Sequence, residues 1–220
     1  MPGTERLEGN VAVLSPHLDD GVFSLGAAIA ACRGSVAMVT VFAGDPDASF
    51  PAGEWDSRAG FRTAGEAAAA RRREDERACA DLGARPVWLP FMDVQYPRDD
   101  DERVWAAVAD AVEGADVVLL PAFPLLHDDH VRLFELVERN GLPAKSVGRY
   151  VEQPYAATWS HRSPEDGWSP LGAGLPHRLA KLRACRRYVS QLPLLRRSGR
   201  ILYPLTRYEA ARGGELVRWT

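Results

Sequence analysis

The stretch Val11-Ala12-Val13-Leu14-Ser15-Pro16-His17-Leu18-Asp19-Asp20-Gly21 joins an apolar run to a histidine and two carboxylates. A run with no polar side chain to offer solvent reads as a strand buried on both faces, the habit of a parallel sheet. From Gly21 onward small residues dominate. Gly26, Ala27, Ala30 and Ala31 predict a slim helix over 21–32 that packs closely on that sheet. His17, Asp19 and Asp20 therefore stand where a strand hands over to a helix, the end of an open parallel sheet at which ligands bind. A second cluster, His127-Asp128-Asp129-His130, follows another apolar run, Val117-Val118-Leu119-Leu120. Two such clusters at two strand exits point to one divalent-metal site assembled from remote parts of the chain.

Outward from these stretches, strands are expected at 11–15, 36–42, 86–90, 116–121 and 147–151, with helical patterns between most of them. That alternation predicts an α/β fold: one Rossmann-like domain over residues 1–220, with a mostly parallel sheet and helices on both faces. In the helix expected over 65–83, Ala67, Arg71, Glu74, Ala78 and Leu82 share one stripe, so two charged residues face inward. The helix over 102–113 turns Val104, Val108, Ala111 and Val112 inward. Nearer the C-terminus, Leu175, Leu179, Leu182, Cys185 and Val189 form an apolar stripe, with Arg178, Lys181, Arg186 and Arg187 off its centre. Segments 201–205 and 216–219 read as edge strands. Segments 43–64 and 152–174 read as loops, the second carrying Tyr155, Trp159, His161 and Trp168.

A chain of 220 residues with 46% hydrophobic and 26% charged residues has the profile of a soluble globular domain. A formal net charge of −3 argues against a general nucleic-acid partner. No segment reaches the roughly 18 unbroken apolar residues of a membrane span. The polar start of the chain lacks the apolar core of a secretory signal, so the cytoplasm is the expected location. Cys32, Cys79 and Cys185 are odd in number and lack C-x-x-C spacing, which favours free thiols. The glycine fingerprints of nucleotide-binding folds are absent.

Zinc accepts histidine nitrogen and aspartate oxygen, and a catalytic zinc keeps one position for water. His17 and Asp20 are three apart at a turn; His127 and His130 are three apart where the next helix begins. Two histidines and one aspartate supply three ligands and leave an aspartate and a histidine for chemistry. The donors also suit iron, cobalt or manganese. Against this, an Asp-Asp pair after a strand is often a helix cap and its neighbour.

At these residues the chain resembles the PIG-L (LmbE-like) N-acetylglucosaminyl deacetylase family. The family's H-P-D-D-E motif is met by His17-Leu18-Asp19-Asp20-Gly21, and its H-x-D-H motif by His127-Asp128-Asp129-His130. Arg71, Glu74, Leu82 and Gly83 match an intermediate R-x-x-E pattern before a Leu-Gly helix end, and Asp93 matches an aspartate after the next strand. The segments Tyr150-Val151-Glu152-Gln153-Pro154-Tyr155 and Lys181…Tyr188-Val189-Ser190-Gln191 look like a bacterial branch of the family. The resemblance implies that His17, Asp20 and His130 bind zinc, that Asp19 is the general base, and that His127 stabilises the charged intermediate or assists the leaving amine. It places Arg71 and Asp93 beside the substrate, an N-acetylated amino-sugar conjugate, and offers Glu74 as the group that holds Arg71.

The chain departs from the pattern at four places. Leu18 and Asp128 replace prolines, Gly21 replaces a supporting glutamate, and the stretch Ala122-Phe123-Pro124-Leu125-Leu126 before His127 holds no tyrosine. Two other readings stay open on the residues: another metal-dependent hydrolase such as a phosphoesterase, and a sugar-binding relative without catalysis. The arginines near 178–200 fit either a phosphate contact or a solvated helix face.

Overall fold

The structure, a computed structural model, describes residues 6–47, 49–195 and 200–220. Strands β1 (Glu8–Ser15), β2 (Arg33–Thr40), β3 (Arg85–Trp88), β4 (Val117–Phe123), β5 (Ser146–Val151), β6 (Ser169–Pro170) and β7 (Leu216–Trp219) make one sheet in the order β3-β2-β1-β4-β5-β7-β6. The first five run parallel; β7 is antiparallel to both β5 and β6. The helices are α1 (Asp20–Ala30), α2 (Glu54–Arg58), α3 (Ala64–Leu82), α4 (Asp101–Ala111), α5 (Asp128–Asn140), α6 (Tyr155–Thr158), α7 (Leu175–Cys185), α8 (Leu192–Leu195) and α9 (Leu202–Arg212). No helix among the described residues is long and apolar enough to cross a membrane. This is the expected mostly parallel α/β architecture.

Strand β1 shows how the sequence makes two layers. Successive side chains on a strand point to opposite faces. Val11 and Val13 join a core shared with α1, α3 and α7, whereas Ala12 and Leu14 join a second core shared with α4 and α5. All four are at most 2% exposed, which is why the run carries no polar residue. Helix ends follow local chemistry. Thr63 and Glu66 form a reciprocal capping box at the start of α3, and Gly83, at φ 72°, ends it in the left-handed region that glycine adopts freely.

The C-terminal third corrects three expectations. Residues 201–205 are helical: Ile201 and Leu205, four apart, are both fully buried while Tyr203 faces solvent, so the 3.6-residue period wins over the apolar run. Strand β7 lies between β5 and β6 rather than at the edge. Helix α7 is rotated from its apparent stripe. Leu175 and Leu179 are 70% and 56% exposed, and the inward face is Lys181, Ala184 and Cys185, continued by Tyr188. Gly26 is the reason. A Cβ there would lie 2.9 Å from Lys181 Cγ, so the missing side chain makes room for the lysine stem. The Nζ then sits 2.5 Å from both Glu209 and Glu215. Arg196 and Arg197, two of the late arginines, lie outside the described residues. The described cysteines are free, with Cys79 and Cys185 buried and Cys32 partly so.

Candidate metal centre and its cleft

The chain runs from β1 to β2 to β3 on one side of the sheet and through β4 and β5 on the other. The crevice between the carboxyl ends of β1 and β4 is therefore the switch point where open α/β sheets bind ligands. Strand β1 delivers residues 15–20 to it, and β4 delivers 123–130.

Local hydrogen bonds shape the first turn. Ser15 Oγ donates to the His17 carbonyl (2.6 Å) and accepts from Gly21 N–H (2.9 Å). Asp19 occupies the cap position of α1 without using its side chain as a cap. The helix-cap explanation of the Asp-Asp pair thus fails for Asp19, whose carboxylate lines the cleft instead. Gly21 is hemmed in: a Cβ there would meet Met38 Sδ at 2.5 Å, so the family glutamate would enter only if the Met38 side chain moved.

His17 Nδ1, Asp20 Oδ2 and His130 Nε2 form a nearly equilateral triangle. Its edges are 3.2 Å (His17–Asp20), 3.1 Å (His130–Asp20) and 3.3 Å (His130–His17). Ligands about 2.0–2.1 Å from a zinc ion at the tetrahedral angle lie roughly 3.3–3.4 Å apart, so the triangle has the size of three zinc ligands. The far side of each imidazole is taken. His17 Nε2 is 3.0 Å from Asp129 Oδ2, and His130 Nδ1 bonds the fully buried Glu152. A histidine that donates its outer N–H to a carboxylate turns the lone pair of its inner nitrogen to the metal. With both histidines neutral, two lone pairs and a carboxylate oxygen meet at one point, a donor set that suits a cation. A wider grouping of His17, His127 and His130 has its nitrogens within 4.8 Å of one another. His127 is less suited to ligation, because its Nδ1 accepts from Asp129 N–H (3.2 Å) as the cap of α5.

Asp129 and Glu152 had no assigned role in the sequence reading. Asp129 Oδ2 also accepts from Val94 N–H (2.9 Å), linking His17 to the 93–96 segment. Glu152 Oε2 accepts from Leu125 N–H (2.9 Å), and Leu125 sits at φ 55°, a left-handed conformation costly for leucine. These two carboxylates supply the support that Gly21 cannot. The signal for Glu152 was a glutamate directly after the apolar strand over 147–151.

The triangle opens into a cleft of about 320 Å³ whose polar floor includes His17, Asp19, Arg71, Asp93 and His127. All seven residues singled out from the sequence thus gather at one place: five on this floor, with Asp20 and His130 completing the triangle behind His17. Arg71 is held by Asp56 (3.5 Å) and Asp93 (3.9 Å). Glu74 does not hold it. Glu74 accepts from Ser190 N–H and Oγ (2.9 and 2.7 Å) and fastens the segment after α7 to α3. Of the aromatic residues, Trp55, Tyr155 and Trp159 line the cleft, while Trp168 packs against Phe123 and Arg218 elsewhere.

Burial and neighbours set the protonation of the floor. Burial, with Asp20 beside it and Arg71 opposing, pushes Asp19 up to about 7. Burial disfavours charge on Asp20, yet His130 and His17 hold it well below the usual carboxylate range. Burial also disfavours charge on His17, but Asp129 and Asp20 outweigh it and raise His17 to about 9. Asp20 and Glu152 likewise overcome burial at His130 and raise it. Burial and the two neighbouring histidines lower His127 to about 4.

A donor triangle backed by carboxylates, with a free carboxylate and a histidine at its mouth, defines the class as an α/β protein with a cluster of side chains that could hold a metal ion. The family model described as GlcNAc-PI de-N-acetylase (PIG-L) matches residues 12–140, more than half of the chain, and the protein belongs to that family. A deacetylase of the teicoplanin biosynthetic pathway, solved as a triple mutant, is similar at 25% identity and a TM-score of 0.78, over 96% of each chain. The zinc-inhibited form of a teicoplanin deacetylase shares 22% identity at a TM-score of 0.74, covering 96% of this chain and 98% of that one. The same fold appears in the 4-carboxy-2-hydroxymuconate hydratase of Pseudomonas putida, at 18% identity and a TM-score of 0.67, over 96% of this chain and 95% of that one. No curated protein sequence matches.

Proposed function

We propose that this protein is a metal-dependent hydrolase that removes an N-acetyl group from an amino-sugar conjugate. The observation that carries the reading is the His17–Asp20–His130 triangle, with edges of 3.1–3.3 Å, beside the uncommitted Asp19 in one cleft. His17, Asp20 and His130 would hold the ion, with zinc the first candidate. A divalent ion there supplies Lewis acidity to the amide carbonyl and to water.

The rest falls to the chain's own side chains. Asp19, which lines the cleft and caps no helix, can accept the proton of the attacking water and return it. The His127 Nδ1 lone pair is occupied by Asp129 N–H, so Nε2 carries the proton. A neutral imidazole of that tautomer donates a hydrogen bond to the oxyanion as the carbonyl becomes tetrahedral. The C–N bond then breaks, the proton held by Asp19 passes to the departing amine, and acetate and free amine result. Arg71 and Asp93 are placed to hold sugar hydroxyls beside this floor.

The hydratase of the same fold shows that architecture alone does not choose a reaction. A phosphoesterase reading calls for a second ion and a free cationic pocket. Among the described residues one histidine-based donor group is present, and the charge of Arg71, the one cationic side chain other than histidine lining the cleft, faces two carboxylates, Asp56 and Asp93. A purely binding role leaves the uncapping Asp19 without a purpose. Elemental analysis of the purified protein, coupled to free-amine detection over a panel of N-acetylated sugars with zinc, iron, cobalt or manganese and with chelator, tests the reading. Chelator-sensitive amine release is the expected result. A metal-loaded protein that releases no amine from any panel member contradicts it.

A further inference from the structure

Helix α2 buries a single residue, and that residue is an acid. Asp56 is 3% exposed. Withdrawing a carboxylate from water is costly unless something compensates its charge. The segment around it is fastened to the 93–96 segment. Gln95 Oε1 accepts from the N–H groups of Trp55 and Asp56 (2.8 and 3.3 Å), and the Tyr96 hydroxyl accepts from Gly53 N–H (3.2 Å) while donating to Asp56 Oδ2 (3.0 Å). Gly53 permits this approach, since a Cβ there would lie 2.6 Å from Gln95 Oε1. Asp56 Oδ1 faces Arg71 Nη1 at 3.5 Å, yet neither Asp56 Oδ1 nor Arg71 Nε has a hydrogen-bond partner among the described residues. Arg71 is thus held by charge rather than by a close, directional bond. Arg132 shows the contrast: its guanidinium donates to Asp101 Oδ1 (2.9 Å) and to the Asp99 carbonyl (2.6 Å).

A guanidinium held by charge alone goes where the acids around it balance. Asp19 shares the cleft floor with Arg71, but among the described residues the ion pairs of Arg71 go to Asp56 and Asp93 and none to Asp19. Burial disfavours charge on Arg71, and Asp19 exerts the strongest of the pulls that raise it, ahead of Asp56 and Asp93. Asp93 is the weaker of the two holders. It lies at 3.9 Å and already accepts from the Gln95 backbone (2.9 Å) and side chain (3.2 Å). We propose that Asp56 is a positioning residue, the counterweight that keeps Arg71 from closing on Asp19 and so leaves the Asp19 carboxylate free to act on water. Its consequence for turnover rests on the deacetylase reading; its effect on Arg71 does not.

Asp56→Asn keeps the shape and an acceptor for Tyr96 but removes the charge. A crystal structure of this variant is expected to show the Arg71 guanidinium within hydrogen-bond distance of Asp19. Amine release from a panel sugar that the wild type cleaves is expected to fall roughly ten- to a hundredfold. In an Arg71→Ala background the same substitution should cost no further rate, because its effect runs through Arg71. It should even raise Tm there, since it removes a buried acid left without its cation. Tyr96→Phe takes one support from Asp56 and no charge, and should lose rate by less. It carries the same test if Asp56→Asn does not fold: a loss that vanishes with Arg71→Ala supports the counterweight, and an equal loss in both backgrounds overturns it. Arg71 unmoved in Asp56→Asn, or resting on Asp93, overturns it as well. So does a loss of rate by Asp56→Asn that is equal with and without Arg71, the mark of an acid that only serves the fold. Absence of amine release from the wild type sinks the deacetylase reading instead, and the place of Arg71 in the variant then decides the counterweight alone.

Discussion

Two buried ionic clusters lie in this protein, and they solve the same electrostatic problem differently. In the first, Lys181 Nζ lies 2.5 Å from Glu209 and Glu215, and Glu215 also accepts from the N–H groups of Ala27 and Ala28 (2.9 and 2.7 Å). The excess of negative charge is answered by the chain's own lysine and backbone. In the second, Asp20 faces the inner nitrogens of His17 and His130, with Asp129 and Glu152 behind them. No lysine or arginine enters that triangle, and Arg71 pairs with Asp56 and Asp93 instead. The difference teaches how to separate a packing cluster from a working one. A buried ion pair closed within the chain by a lysine does not call for a ligand, whereas imidazole nitrogens that converge on a carboxylate, with their outer nitrogens tied to other carboxylates, form a donor set that suits a cation.

The strongest way to break the comparison is to remove one corner of the triangle. His130→Ala is expected to purify without stoichiometric metal and to lose turnover by a factor of about a thousand or more. Asp19→Asn is expected to keep the metal and lose turnover by about 10²–10⁴, the range of general-base catalysis. Metal content and amine release measured on both proteins separate the two roles. Full metal in His130→Ala, or an undiminished rate in Asp19→Asn, contradicts the assignment.

At the other cluster the expected effect is on stability. Lys181→Met leaves Glu209 and Glu215 buried without their cation, a loss of about 3–5 kcal/mol when one partner of a buried pair is removed. For a chain of this size that lowers Tm by roughly 10 °C. Metal stoichiometry of the folded variant should stay at the wild-type value. Loss of metal with an unchanged Tm would reverse the contrast between the clusters.

How much of this was legible beforehand follows from what each residue depends on. Val11 to Leu14 could be read as a buried strand because burial on both faces leaves no alternative to apolar residues. His17, Asp20 and His130 could be read because each stands within a few residues of a strand end, and strand ends in such a sheet converge. Glu152 could not. Its bond to His130 spans 22 residues and depends on β4 and β5 pairing so that Val151 lies beside Phe123. The inward face of α7 was misread for a related reason. The leucine stripe satisfied the helical period, but the true face is set by a gap at Gly26 and by acids at 209 and 215, none of them local to the helix.

Glu152 offers a finer test within the working cluster. Glu152→Gln retains the side-chain size but weakens the pull on the His130 N–H. Loss of such a supporting carboxylate typically costs 10–100-fold in metal affinity or activity. Competition with a metal-binding dye should show that drop in affinity, while Asp19-dependent turnover at saturating metal falls less. An unchanged metal affinity would mean that Glu152 serves only the Leu125 turn.

The smallest expected effect is a pH dependence at the closed cluster. Burial raises Glu209 from an ordinary 4.5 to about 7, despite the opposing pull of Lys181. Above about 4.5 the unfolded chain has released this proton, while the folded chain keeps it up to about 7. The folded state therefore binds more protons in that window, and this group's contribution to stability falls as pH rises through it and is level above. Glu209→Gln resembles the protonated acid and removes the dependence. The variant should match wild type in Tm near pH 5 and exceed it by a few degrees at pH 8, where wild type carries the costly carboxylate. A Tm difference that stays constant across this range would show Glu209 ionised throughout, with Lys181 compensating both acids in full.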